Sequence, residues 1–276
     1  MTTTVRSTSL EGTRTFVLNQ RIRYAYSAPV TDLHQRLMTV PPAKYGSQRR
    51  RRWNLQVSGV DELITGVTSD PFFNVVLEAT IPRVDHAVEF EVEVELSVEQ
   101  VLPTHFNAAD NSYLGHTHLT TPDRAIAELT SAVQHSGVAA LCTAVHKSLD
   151  YEWGVTGVAT TAAQALAGGR GVCQDYAHIM LAACRLAGLP ARYVSGHLPG
   201  EGASHAWVEV MRPVGRNSQG SWIAEGWDPT HNRRIDSDYL VIAAGRDYAD
   251  VAPMSGTFNG EGVSSTLSVE KQLRLI

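Results

Sequence analysis

Residues 88–96 alternate without a break: Glu89, Glu91, Glu93 and Glu95 interleave with Val88, Phe90, Val92, Val94 and Leu96. A two-residue period puts one set on a buried face and the other in water, as in a strand of an antiparallel sheet. Shorter alternations recur at 21–27, with Ile22, Tyr24 and Tyr26 on one side, and at 53–57, with Trp53, Leu55 and Val57. Residues 72–77 form a short apolar run. No helical period interrupts this half. The pattern predicts an antiparallel β-sandwich or half-barrel as an N-terminal domain over residues 15–105.

Between 102 and 121 the pattern lapses into His, Asn, Asp, Gly and Thr, as in a linker. Thr121-Pro122-Asp123 then reads as a helix start, with Thr121 as N-cap and proline in the first turn. Helices are expected at 125–133 and 138–149, broken by Ser136-Gly137, and a short one at 160–166. Gly168-Gly169-Arg170-Gly171 ends the third. An amphipathic run, 177–186, follows with no proline before Pro190. Strands are expected at 192–196, 205–211, 221–224 and 240–244, with 215–220 as a hairpin turn. The sequence thus predicts an α+β domain over 121–276, helices first and an antiparallel sheet after.

Chemistry concentrates in three of these segments. Gly171 frees the backbone before Cys173, which falls at or near the first turn of a helix. Free N–H groups and the positive dipole end there favour a thiolate, the form that attacks carbonyl carbon. His205 opens the alternating segment Ser204-His205-Ala206-Trp207-Val208-Glu209-Val210, and Asp228 follows a strand-like run in Trp227-Asp228-Pro229-Thr230. Adjacent antiparallel strands could set His205 beside Asp228, with the helix start bringing Cys173 to the other side of the imidazole. A Cys–His–Asp triad needs that order: nucleophile, base, and an acid that orients the base. The Cys173 N–H is expected to form one arm of an oxyanion hole. Gln174, Tyr151, Trp153 and Trp227 are the candidates for a second donor or for substrate contact.

Composition adds exclusions. The chain has 276 residues, 43% hydrophobic and 18% charged, enough for one large domain or two modest ones with ample core. A net charge of −5 gives no reason to expect nucleic acid or an anionic membrane as partner. The four arginines 49–52 are read as cross-strand partners of the Glu face at 89–95 rather than as a nucleic-acid patch. No apolar run reaches 18 residues, so no membrane-spanning helix is expected. The polar first fifteen residues lack the apolar core of a secretory signal, which makes the cytoplasm the expected location. Three cysteines without short paired spacing argue against a disulfide framework and a cysteine-based zinc site. Cys142 and Cys184 are read as buried small hydrophobes. His116 and His118 have no acidic partner, and no phosphate loop or Gly-x-Gly-x-x-Gly follows a strand, so neither a metal nor an organic cofactor is expected.

Four segments taken in order carry a family likeness: Gly-Val-Cys-Gln-Asp-Tyr-Ala-His at 171–178, Gly-Leu-Pro-Ala-Arg-Tyr-Val-Ser-Gly at 188–196, Ser-His-Ala-Trp-Val-Glu at 204–209, and Trp-Asp-Pro-Thr at 227–230. Together they resemble the transglutaminase-like superfamily, in its bacterial branch of cysteine peptidase and amidase relatives with an N-terminal β domain. The resemblance implies a papain-like core and places the triad on Cys173, His205 and Asp228. Members of the superfamily hydrolyse peptides, transfer acyl groups or deamidate. The expected function is therefore a cysteine-dependent hydrolase or acyltransferase, working through a thioester on a peptide or amide substrate. The rivals are a protein-glutamine transglutaminase or other amine-accepting acyltransferase, and a non-catalytic protein-binding module. The β domain is expected to shape the cleft or dock a partner protein.

The remaining polar residues receive structural readings. His178 lies five residues past Cys173, about 140° around the helix, and should not face the sulfur. Asp175 is expected to cap the helix or pair with Arg192. Trp207 is expected in the core. Arg246 and Asp247 are read as a tethering salt bridge, and His197 and His231 as residues at the cleft mouth.

Overall fold

The computed structural model describes residues 13–99, 104–106, 111–133, 136–214 and 222–276. Seven strands fill the first part of the chain: β1 (Arg14–Tyr26), β2 (Val30–Leu37), β3 (Lys44–Tyr45), β4 (Gln48–Ser58), β5 (Ile64–Ser69), β6 (Val75–Val84) and β7 (Ala87–Val98). The alternation at 88–96 has the predicted consequence: β7 lies between β1 and β4, with Val88, Phe90, Val92, Val94 and Leu96 buried. A second sheet contains β2, β6 and β5. The two sheets enclose a core that includes Phe16, Leu18, Leu33, Leu77, Ile81 and Phe90. On the outer face Arg21 pairs with Glu91 at 2.6 Å and Arg52 with Glu95 at 2.7 Å. Arg52 alone of the four consecutive arginines takes the expected Glu partner. Arg49 and Arg50 donate to backbone carbonyls, and Arg51 donates to Ser97 Oγ.

The second part carries β8 (Thr104–Phe106), α1 (Arg124–Val133), α2 (Gly137–His146), β9 (Asp150–Tyr151), α3 (Ala162–Gly168), β10 (Arg170–Gly171), α4 (Cys173–Leu186), β11 (Ala191–His197), β12 (His205–Pro213), β13 (Trp222–Asp228), β14 (Arg233–Arg234) and β15 (Leu240–Gly245). Its sheet runs β14-β13-β12-β11-β15. Helix α4 packs on this sheet in the same core as Val208 and Val210, with Ile179, Met180, Ala183 and Cys184 fully buried. Asp123, not Thr121, caps α1: its Oδ1 accepts the Ile126 N–H at 2.9 Å, while Thr121 donates to the Thr117 carbonyl. The hairpin turn expected at 215–220 lies outside the described residues, as does part of the linker expected at 102–121.

The chain then returns to its start. β16 (Met254–Asn259) pairs with β2, and β17 (Ser265–Leu275) pairs antiparallel with β1 from Phe16 to Tyr26. Both fall in the range expected for the C-terminal domain, yet they complete the N-terminal sheets. β1 and β2 would otherwise present open edges, and pairing satisfies those backbone groups.

Two buried side-chain amides join the halves at the open edge of β15. Gln48 Nε2 donates to the Val241 carbonyl at 2.8 Å, and its Oε1 accepts the Val241 N–H at 2.9 Å. Asn74 makes the same pair with Ala244, both bonds at 2.8 Å. Each amide stands in for a missing neighbouring strand. Asn74→Ala would leave a buried N–H and C=O without partners. It is expected to lower the unfolding free energy by about 2 kcal/mol, read as an earlier midpoint in urea with an unchanged slope.

Candidate active site

Cys173 is the first residue of α4, preceded by extended backbone at Val172 (φ −116°, ψ −180°). Asp175 fixes this start: its Oδ2 accepts the Val172 N–H at 2.8 Å and the Thr156 hydroxyl at 2.7 Å. Burial pushes the Asp175 carboxyl up, against the pull of those bonds. Gly171 serves this cap by its size, not by backbone freedom. A Cβ there would sit 2.6 Å from Asp175 Oδ2 and 2.8 Å from its Cβ. Asp175 does not pair with Arg192. That guanidinium is held by Glu209 Oε2 at 2.9 and 2.7 Å, and the same oxygen accepts the Tyr45 hydroxyl at 2.8 Å.

His205 opens β12 and Asp228 closes β13, which are adjacent and antiparallel with Val208 opposite Trp227. His205 Nε2 donates to Asp228 Oδ2 at 2.8 Å. Cys173 lines the same cavity as this imidazole and lies within its electrostatic reach, and the ring nitrogen left free by Asp228 is Nδ1. The fold thus sets His205 against Asp228 and brings Cys173 to the same cleft.

Asp228 is fully buried and heavily used. Its Oδ2 also accepts His231 Nδ1 and the Tyr239 hydroxyl, each at 2.7 Å. Its Oδ1 accepts the N–H groups of Thr230 at 2.8 Å and His231 at 3.1 Å. Burial alone would raise this carboxyl; the bonds from His205, His231 and Tyr239 outweigh it and hold the group far below its usual range. Burial likewise disfavours imidazolium at His205, but the hydrogen bond to Asp228 and the attraction of Asp228 and Cys173 prevail and raise its pKa to about 10.

A pH dependence follows. The folded pKa of His205 lies above its ordinary 6.5, so the stability it contributes is fully present below that value and is lost as pH climbs toward about 10. The melting temperature of the wild type is expected to fall across this window. That of His205→Gln is expected to fall less, by differential scanning calorimetry at matched ionic strength.

A cavity of about 320 Å³ opens over Cys173, walled by Trp153, Val158, Tyr193, His205 and Tyr248. Trp153 is 72% exposed and Val158 61%, so the rim is apolar. Gln174 also lines the cavity, but its Nε2 donates to the Val158 carbonyl at 3.3 Å and so ties down the rim loop. Tyr151, held opposite Gly171, stands within electrostatic reach of Cys173 but outside the cavity wall. Trp227 is not among the residues that wall this cavity; it packs on the helical core beneath the Arg234 guanidinium at 5.4 Å. Trp207 is fully buried, as expected.

The bystanders are quiet. His178 is fully buried, its Nε2 accepts the Tyr248 N–H at 3.2 Å, and burial lowers its pKa to about 4. Burial raises Cys142 and Cys184 to about 12. Arg246 is tethered to Asp250 at 2.8 Å rather than to Asp247, which caps the next turn at Ala249. Two site residues escape the sequence pattern. Tyr239 binds Asp228, and Glu201 in the β11–β12 loop faces His205 Nδ1 at 3.4 Å and His231 Nε2 at 3.6 Å. Among the described residues no helix is long and apolar enough to cross a membrane.

Comparisons with known proteins bear on the family and the fold. Residues 123–225 match the family model of the transglutaminase-like superfamily, and residues 16–99 match the bacterial transglutaminase-like N-terminal region. Cys173 and His205 fall inside the first match and Asp228 just beyond it. An uncharacterised protein of Mycobacterium leprae is 39% identical over 137 residues, 46% of this chain and 46% of that protein. One of Mycobacterium tuberculosis is 35% identical over 140 residues, 47% of this chain and 44% of that protein. The match thus spans less than half the length of these curated relatives. The crystal structure of a candidate cysteine protease from Cytophaga hutchinsonii aligns over 96% of this chain and 92% of that one, at 20% identity and a TM-score of 0.68, which shows a shared fold.

Proposed function

The chain belongs to the transglutaminase-like superfamily, and from that premise we propose that it is a cysteine-dependent amide hydrolase acting through a thioester on Cys173. One observation carries the reading: a buried imidazole in the wall of the Cys173 cavity donates to a carboxylate held ionised by five donors. Cys173 transfers its proton to His205 Nδ1, and the thiolate attacks the substrate carbonyl. The developing oxyanion lies near the Cys173 N–H at the start of α4, where the helix dipole favours negative charge. His205 passes the Nδ1 proton to the leaving amine as the C–N bond breaks, which leaves a thioester. Neutral His205 then takes a proton from water, hydroxide oxygen adds to the thioester, and the acid departs with the thiolate restored. Asp228 keeps Nε2 protonated throughout and stabilises the imidazolium.

Hydrolysis is preferred to amine transfer because water needs no second binding site. The apolar rim of Trp153 and Val158 suits an apolar side chain next to the scissile amide. The three unpaired cysteines suit a reducing compartment such as the cytoplasm. A panel of peptidyl p-nitroanilides differing in the acyl residue, with and without hydroxylamine, tests the reading. Expected is anilide release in water, and hydroxamate in place of acid when hydroxylamine competes. Anilide release that needs an added amine would favour the transferase, and no release from any member would remove the enzymatic reading.

A further inference from the structure

We propose that Glu201, His205, His231 and Cys173 form a site for one zinc ion, through which the metal reversibly blocks the nucleophile. Glu201, His205 and His231 stand on geometry alone; the part of Cys173 and the inhibitory consequence rest on its proposed role.

The second nitrogens of the two histidines carry the argument. His205 Nε2 and His231 Nδ1 both donate to the same oxygen, Asp228 Oδ2, at 2.8 and 2.7 Å. A carboxylate behind an imidazole fixes the tautomer and leaves the opposite nitrogen as a lone-pair donor, the usual support of a zinc-binding histidine. Here one buried carboxylate supports two rings at once, with centroids 5.1 Å apart. Their opposite nitrogens, His205 Nδ1 and His231 Nε2, face one carboxylate, Glu201, at 3.4 and 3.6 Å. The longer of these is no hydrogen bond, and neither is a good one. Both match the distance between two ligands of a tetrahedral zinc, about 3.3 Å for bonds of about 2.05 Å. The donor atoms of all three residues lie within 4.8 Å of one another, so small rotations of the half-exposed His231 and of Glu201 close the set.

The proposed fourth ligand is sulfur: Cys173 lines the same cavity as His205, outside the three-residue group, and its side chain must swing toward it. Two nitrogens, a carboxylate oxygen and a thiolate are a donor set that zinc accepts and that hard cations such as magnesium do not favour. Entry is open, since Glu201 is 33% and His231 41% exposed at the mouth of the cleft. On binding, the metal takes the place of the proton on His205 Nδ1, and thiolate, imidazole and carboxylate become its ligands. Both the nucleophile and the proton that the leaving amine requires are thereby withdrawn.

The test reads metal rather than turnover. The full chain is titrated with Co²⁺ by visible absorption, and Zn²⁺ is then added in competition. The wild type is expected to bind one Co²⁺ with the strong bands of a tetrahedral site and a sulfur-to-cobalt charge-transfer band, all erased by Zn²⁺. Cys173→Ser should lose the charge-transfer band and keep a metal. His231→Gln and Glu201→Gln should each weaken binding by at least ~10-fold. Glu201→Gln changes an exposed loop, so it separates ligand loss from misfolding. Absence of a tetrahedral cobalt spectrum in the wild type, or affinities unchanged in both Gln variants, overturns the proposal. Either result leaves the p-nitroanilide outcome untouched, so the two readings fail separately.

Discussion

Cys173→Ala is expected to lower amide turnover by at least ~10³-fold, because it removes the atom that forms the acyl bond. The fold should not change. Cys173 is the first residue of α4, a position where alanine is tolerated, and the cap is made by Asp175 and Val172 rather than by the sulfur. The alanine variant should therefore keep its far-ultraviolet circular dichroism and its midpoint in urea. Cys184→Ala is the matched control. That thiol is fully buried inside α4, and its loss should leave turnover in place. Burst kinetics with an activated peptidyl ester complete the comparison: a stoichiometric burst in the wild type and none in Cys173→Ala.

Asp228→Asn is expected to be nearly as damaging to turnover, by ~10³–10⁴-fold, and to cost stability as well. The carboxylate accepts five hydrogen bonds and donates none. An asparagine must turn its NH₂ toward one set of donors. Toward His205, it drives the ring to the tautomer protonated on Nδ1, which can no longer take the thiol proton. Toward Thr230 and His231, it faces two backbone N–H groups. Either way a buried donor meets a donor, and about 3 kcal/mol of stability should be lost. Tyr239→Phe removes one of the five bonds and keeps the carboxylate. It should retain most of the activity, which separates the charge on Asp228 from its network.

Much of this site could be read in the chain before the fold was known. Gly171-Val172-Cys173 followed by an unbroken amphipathic run marks a helix start. The alternation after His205 and the strand-like run before Trp227 and Asp228 mark two strands whose antiparallel pairing delivers base and acid to one another. What stayed hidden is what depends on distance or on turns. The pairing of β17 with β1 joins Phe16 to Leu275, and no local period announces which edge a strand will seek. The amides of Gln48 and Asn74 have meaning only once β15 lies beside them. Glu201 sits between two glycines in a loop, and Tyr239 lies eleven residues past Asp228, so neither belongs to a periodic element. Gly171 was legible as a glycine before the helix start, but it serves by leaving space for the Asp175 side chain rather than by backbone freedom. Asp175 finds its partners in the backbone of Val172 and in Thr156, while Arg192 is taken by Glu209 across the sheet.

The central claim is that His205 activates Cys173. Its most direct test is the rate of iodoacetamide alkylation at each cysteine at about pH 6, well below the usual free-thiol pKa of about 8.5, by peptide mass mapping of the wild type and of His205→Ala. The account predicts that Cys173 alone labels, faster than glutathione under the same conditions, that buried Cys142 and Cys184 remain unlabelled, and that His205→Ala removes the advantage. Labelling of Cys173 no faster than glutathione, or a rate indifferent to His205→Ala, would contradict it.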